Sequence, residues 1–314
     1  MYRKSLCWQQ FRHEMIAQRS ISKLSDRLYG EAKDKYGEKT AIRIPETVIE
    51  LDYCFAWFLA GLARNEALSG LLAFKGGTAL RRIHIDDYRF SQDLDFTLTR
   101  SIALAELLKK LEPLCEDIFK ESGVRFSVSP KEPTRHQRND TFYLECQGPL
   151  SRKQVVKVDV TRQETLVFAL QRKPILQTYA EFSDLPKDRT PLVYSIDELA
   201  VEKVLAVTDK VRREPRDLYD LWTLEARNLI SDPWEIARPL QTKLESREGR
   251  AEDDLEELLR NAEAGLRARW GSRLGQQVQE LPKFEECFRD VNRQIGVLEK
   301  IRRKLSKGRA PSKR

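Results

Sequence analysis

Asp93 and Asp95 stand two apart in Asp93-Leu94-Asp95-Phe96. On a strand that spacing sends both carboxylates to one face and Leu94 and Phe96 to the other. Neighbouring carboxylates repel unless a cation lies between them, and hard Mg²⁺, which takes oxygen ligands and substrate phosphates, suits such a pair. Upstream, Lys75-Gly76-Gly77-Thr78 sets a glycine pair between a short apolar run and a new helix. Backbone N–H groups can approach a phosphate there, the helix N-terminus adds its positive dipole end, and Thr78 can add a hydroxyl. A third carboxylate lies in Val155–Val160, where Asp159 shares a face with Lys157 while Val156, Val158 and Val160 take the other. If that strand neighbours the first, three carboxylates can hold two metal ions, one activating a hydroxyl and the other steadying a leaving pyrophosphate.

A second group follows. Ile196, Leu199, Ala200, Val204 and Val207 form one apolar helical stripe with Lys203 near its middle, so this lysine either snorkels or is aimed at a pocket. Asp217, Asp220, Leu221 and Leu224 fall along one face of the next helix, and Lys203 can bind a triphosphate with Asp217 or Asp220 positioning it.

The elements that must carry these residues are read from periodicity. Residues 1 to about 70 are expected to be helical, with Tyr53, Trp57, Phe58 and Leu62 at helical steps. Strands are expected at Leu71–Phe74, Asp93–Leu98, Val124–Val128, Thr141–Cys146 and Val155–Val160, with a helix over Ile102–Lys120. Past residue 190 the pattern turns helical. Ser195 with Glu198 forms a capping box opening a helix to Val207. Further helices are expected at Arg216–Ala226, Pro233–Leu244, Ala251–Trp270 and Phe284–Lys304, broken at Gly271 and Pro282. The result is an α+β domain followed by a helical C-terminal lobe, with a basic, disordered tail from Lys300.

Composition narrows the function classes. The chain of 314 residues, 40% hydrophobic and 33% charged, is long enough for a proper core and reads as globular. No apolar run approaches the ~20 residues of a membrane span, and Met1–Gln18 lacks the apolar stretch of a secretory signal, so a cytoplasmic protein is expected. Five scattered cysteines suggest reduced thiols, and His13, His84 and His136 form no ligand spacing. A net charge of +7 favours a polyanionic partner without naming it.

Taken singly, each feature has an ordinary reading: a Gly-Gly turn as a connection, Asp-x-Asp as a solvated edge, Asp159 as surface, Lys203 as a snorkelling lysine, Arg216-Asp217 as an ion pair. Their order carries more. Strand, Gly-Gly, helix, a strand with Asp-x-Asp and a strand with a third Asp are the parts a metal-dependent nucleotidyl transfer requires.

Lys75-Gly76-Gly77-Thr78-Ala79-Leu80, Arg89-Phe90-Ser91-Gln92-Asp93-Leu94-Asp95-Phe96 and Lys203 with Arg216-Asp217-Leu218-Tyr219-Asp220-Leu221 resemble the AbiEii-type nucleotidyltransferase toxins, relatives of the DNA polymerase β-like transferases. The resemblance covers roughly residues 50–225; Ala79 replaces a serine common in the family. It implies a nucleotidyltransferase-type mixed sheet flanked by helices; joined to the periodicity above, a bilobed protein is expected, with residues 1–190 as that domain with N-terminal helices, 191–299 as the helical lobe, 300–314 as the tail, and the active site in the cleft between lobes. By resemblance Gly76, Gly77 and Thr78 match the phosphate turn, Asp93 and Asp95 the metal pair, with Asp159 as third ligand, Lys203 the triphosphate-contacting lysine and Asp217 the Arg-Asp carboxylate. It further implies the toxin of a type IV toxin–antitoxin pair used in phage defence, with a cognate antitoxin encoded nearby. The chemistry implied is two-Mg²⁺ transfer from an NTP to RNA, with the tRNA 3′ end foremost, blocking translation. Arg81, Arg82, Arg212, Arg213 and the tail are expected to guide RNA. Nucleotidylation of a protein or small molecule, and non-catalytic nucleic-acid or antitoxin binding, remain the alternatives.

Overall fold

The computed structural model describes residues 15–307. Two helices come first, α1 (Gln18–Tyr36) and α2 (Glu46–Arg64). The run Val48–Ala60 is apolar on nearly every side, so α2 is buried along its length instead of along one stripe. The two acids inside that run, Glu50 and Asp52, are buried with it and need partners. Glu50 accepts from the Leu150 amide at 2.6 Å and from Gln154 Nε2 at 2.7 Å, while Asp52 is met by arginines from the next segment.

That segment builds the sheet. β1 (Leu72–Lys75) leads into α3 (Gly76–Ala79), which continues as one π-helical turn, Leu80–His84, and β2 (Leu94–Leu98) returns antiparallel to β1. α4 (Leu104–Ser122) ends on Gly123 in the left-handed region, at φ 78°, where glycine meets no Cβ penalty. Then come β3 (Arg125–Val128), β4 (Thr134–Arg135), β5 (Asn139–Gln147), β6 (Lys153–Thr161), β7 (Gln171–Arg172) and β8 (Leu192–Val193). The strand order is β3-β5-β6-β2-β1-β8-β7, with β4 added to β5. Two pairs, β2 with β6 and β1 with β8, are parallel, and the rest are antiparallel. The parallel pairing of β2 with β6 is what brings Asp159 beside Asp95.

The remaining elements are helices: α5 (Ile196–Val207), α6 (Pro215–Ala226), α7 (Pro233–Glu245), α8 (Leu255–Leu274) and α9 (Phe284–Lys307). Ser195 Oγ caps α5 by accepting from the Glu198 amide at 3.2 Å. Glu198 does not complete the box. Its carboxylate takes the Val167 and Phe168 amides at 2.9 and 2.7 Å and the buried Lys243 ammonium at 2.5 Å. α5 faces both ways: Leu199 and Ala200 join the core of the sheet domain, whereas Val201, Val204 and Val207 join a second core with Leu221, Leu240 and Leu266. The α+β architecture with a helical C-terminal region is as expected.

Most boundaries shift by a few residues, α8 for instance starting at Leu255 instead of Ala251, and two differences bear on the reading. Gly271 does not break α8, which runs on to Leu274, because a single glycine weakens a helix without stopping it. The basic stretch from Lys300 begins as ordered helix, since α9 reaches Lys307 and buries Ile301 and Arg302, the latter paired with Glu299 at 2.6 Å. Residues 308–314 lie outside the described residues, as do Cys7 and His13. Among the described residues no helix is long and apolar enough to cross a membrane.

Candidate active site

One polar row crosses four strands. Lys75 pairs with Asp95, Asp95 with Asp159 and Asp159 with Thr141, so β1, β2, β6 and β5 each present one side chain at the same level of the sheet. Asp93 stands just ahead of β2. Burial and the like charges of Asp93 and Asp159 raise the Asp95 pKa from 3.8 to about 6, against the pull of Lys75 and Lys203. The other two carboxylates have counter-ions. Asp93 Oδ2 is 3.5 Å from Arg216 Nη1 on α6, and Asp159 Oδ2 is 2.5 Å from Lys157 Nζ. Asp159 Oδ1 accepts from Thr141 Oγ1 at 2.5 Å. Among the described residues, no three His, Cys, Asp or Glu side chains are gathered closely enough to hold a metal ion as they stand.

The glycine pair is demanded by its neighbours. Gly76 has φ 80°, and a Cβ there would press into the Asp95 carboxylate; a Cβ on Gly77 would lie 2.5 Å from Arg89 Nη2. Gly76→Ala is therefore expected to cost about 1–3 kcal/mol of stability and to displace Asp95, lowering transfer at least about tenfold; melts and initial rates check both. Thr78 corrects an expectation. It is fully buried, and its hydroxyl donates to the Asp93 carbonyl at 2.6 Å, so it holds the turn against the start of β2 instead of facing a phosphate.

Lys203 does not snorkel. It is buried, with Nζ 2.7 Å from Asp217 Oδ1 and 2.6 Å from Asp220 Oδ2. Burial disfavours its charge, but the two aspartates more than offset this and raise its pKa. Asp217 is also 3.1 Å from Arg212 on its other oxygen; although burial opposes ionisation, Lys203 and Arg212 hold its pKa below the usual range. Asp220 accepts from Arg89 Nε and Nη2 at 2.6 and 2.8 Å and from Tyr88 Oη at 2.6 Å. Arg89 reaches further, to Gln277 Oε1 at 2.8 Å. Thus the segment ahead of Asp93 is tied to α6 and to the α8–α9 connection.

The expected RNA guides separate. Arg212 is exposed and Arg213 partly so, both on the connection before α6. Arg81 and Arg82 are 2% and 0% exposed and cannot guide anything. Arg81 forms a two-pronged pair with Asp52 at 2.8 and 2.9 Å and also meets Tyr179 Oη at 2.9 Å; Arg82 lies 3.3 Å from Asp52 and donates to the Leu176 carbonyl at 3.0 Å. A fully buried guanidinium persists only with such partners, so these two clamp the π-helical turn onto α2.

Lys75, Thr141 and Arg89 received no role from the sequence. Lys75 Nζ lies 2.9 Å from Thr161 Oγ1 and 3.9 Å from Glu202 on α5, beside Asp95. Its place just before Gly76 was a usable signal; Thr141 had none, because only strand register brings it to Asp159. The thiols of Cys54, Cys115, Cys146 and Cys287 are free and buried. His84 is half-buried, with Nε2 2.8 Å from the Tyr194 carbonyl, a structural role.

Among solved structures, the chain is similar to MenT4, a nucleotidyltransferase toxin from Mycobacterium tuberculosis H37Rv, at 21% identity and a TM-score of 0.59, over 81% of this chain and 84% of that one. That likeness speaks to the fold. No curated protein matches the sequence. The model of the family described as nucleotidyl transferase AbiEii toxin, type IV toxin–antitoxin system, matches residues 57–290, which takes in the polar row, Lys203, Asp217 and most of the helical region. The chain belongs to this family of nucleotidyltransferase toxins, whose type IV systems pair each toxin with a cognate antitoxin.

Proposed function

We propose that this toxin transfers a nucleotide from a ribonucleoside triphosphate to the 3′ hydroxyl of an RNA, with tRNA as the foremost acceptor, in a Mg²⁺-dependent reaction that blocks translation in the cytoplasm and serves phage defence. The observation that carries the reading is the alignment of Asp95 with Asp159 across β2 and β6, with Asp93 alongside.

The residues fit a divalent cation. Burial first, and then the charges of Asp93 and Asp159, raise the Asp95 pKa, a penalty on the carboxylate that a hard cation with oxygen ligands would offset. Asp93, Asp95 and Asp159 are the ligands proposed. Mg²⁺ held there would lower the pKa of the acceptor hydroxyl and neutralise charge gathering on the leaving pyrophosphate. The protein's own part is positioning. Gly76 and Gly77 let Asp95 and Arg89 close onto the turn, so the turn's backbone N–H groups, proposed as the triphosphate's cradle, sit directly beside the Asp95 carboxylate. Lys203 has three N–H donors, two directed at Asp217 and Asp220, and the third is available to a phosphate oxygen. Asp217 fixes Lys203 from one oxygen and Arg212 from the other. The new bond forms between the acceptor oxygen and the α-phosphorus as the α–β bridging bond breaks.

Arg212 beside Asp217 and Lys157 beside Asp159 are exposed cations at the site, which supports a polyanionic acceptor over a small molecule. Incubation with total RNA, Mg²⁺ and each α-labelled triphosphate in turn tests this: label is expected in RNA of tRNA size and to fall steeply with added salt. Label in polypeptide alone would favour protein nucleotidylation. No label with any triphosphate would refute the reading.

A further inference from the structure

Both oxygens of Asp159 already have close partners. Oδ1 takes the Thr141 hydroxyl and Oδ2 the Lys157 ammonium, each at 2.5 Å, and Asn139 Nδ2 adds a longer approach to Oδ1 at 3.4 Å. Lys157 lies two residues before Asp159 on β6, on the same face, and its side chain is 44% exposed. Asp93 shows the same device more loosely, with Arg216 at 3.5 Å. Protein cations therefore stand where a divalent ion would have to enter, which accounts for the lack of a closed three-ligand group among the described residues.

We propose that Lys157 is an exchangeable counter-ion: it neutralises Asp159 while no divalent cation is bound, and it passes to the triphosphate when a cation takes Asp159. This rests on the reading above that Asp93, Asp95 and Asp159 hold divalent ions. A divalent cation on Oδ2 neutralises the carboxylate and repels the ammonium 2.5 Å away, so the Lys157 pair loosens. The flexible stem of the lysine keeps the freed charge on the same face, within the field of Asp93 and Asp95, where the only new anion is the nucleotide. One side chain then serves two ligands in turn, so cation and triphosphate must each raise the other's affinity. A permanent structural ion pair gives no such coupling.

The two cases differ in sign. In the full-length protein, Lys157→Met removes the internal competitor, so Mn²⁺ added alone and followed by electron paramagnetic resonance is expected to bind about two- to fivefold more tightly than in wild type, the range for an exposed ion pair. Binding of ATP, CTP, GTP or UTP is expected to weaken by a similar factor, and the gain in Mn²⁺ affinity on adding nucleotide is expected to shrink. Lys157→Arg keeps the charge and should stay near wild type in both titrations. Because Lys157 is exposed, Lys157→Met should melt with wild type; Lys157→Gln provides a second neutral variant. Mn²⁺ binding that is unchanged or weaker in both neutral variants would overturn the exchange while leaving the metal reading intact. Wild-type protein that binds no Mn²⁺, with or without nucleotide, would overturn both.

Discussion

Asp95→Asn is expected to reduce nucleotide transfer by about 10³-fold, the scale for losing a group that stabilises transition-state charge, and yet to give a more stable metal-free protein. The second half follows from the sign of the pKa shift. Burial and the charges of Asp93 and Asp159 raise the Asp95 pKa from 3.8 to about 6, so the folded state holds the proton more tightly than the unfolded chain does. Below about pH 4 the group is protonated in both states and costs nothing. Between about pH 4 and pH 6 the unfolded chain ionises first, and above about 6 ionised Asp95 costs the fold roughly 2–3 kcal/mol. Asparagine removes that cost. Denaturant melts of wild type and Asp95→Asn in a chelator, from pH 4 to 8, should therefore diverge as pH rises and level off above 6. A variant less stable than wild type at pH 7.5 would contradict the electrostatic account of the site.

Asp220→Ala should do the reverse and act mainly on stability. Asp220 receives Arg89 through two N–H groups, Lys203 and the Tyr88 hydroxyl, and all four side chains are buried or nearly so. Removing the carboxylate leaves two buried cations sharing what Asp217 and Gln277 can offer, a loss of about 3–5 kcal/mol by comparison with other broken buried pairs. Asp93→Ala is the control. Its side chain is 35% exposed and its ion pair long, so its stability should stay within about 1 kcal/mol of wild type while transfer is abolished. Equal melting of the two variants would show that the Arg89–Asp220–Lys203 cluster does not fasten the helical lobe to the sheet domain.

These two aspartates mark how far the sequence could be read. Alternation over 155–160 placed Asp159, and the Asp-x-Asp pair Asp93 and Asp95, on polar strand faces, because a period of two is a local property; Asp93 lies one residue ahead of β2 instead. That Asp95 faces Asp159, Lys75 and Thr141 is a matter of register, which no local pattern encodes. Arg81 and Arg82 were misread for the same reason. Charge implies surface unless a buried partner exists, and the hint was distant: Asp52, an acid set in the apolar run of α2. Thr78 was placed on a phosphate because the turn is glycine-rich, but the glycines are needed to let Asp95 and Arg89 approach. The strands β4, β7 and β8 span two residues each, too few to show any period, yet β8 sets the edge of β1 on which the turn is built.

The central claim is that Asp93, Asp95 and Asp159 form a divalent-cation site facing the glycine turn. Anomalous scattering from Mn²⁺ in crystals grown with a non-hydrolysable triphosphate tests it most directly. The account predicts Mn²⁺ within about 2.1 Å of oxygens from all three aspartates and of the triphosphate, with Lys157 moved off Asp159. Mn²⁺ found elsewhere, with Lys157 still on Asp159 and the triphosphate away from Gly76 and Gly77, would contradict it.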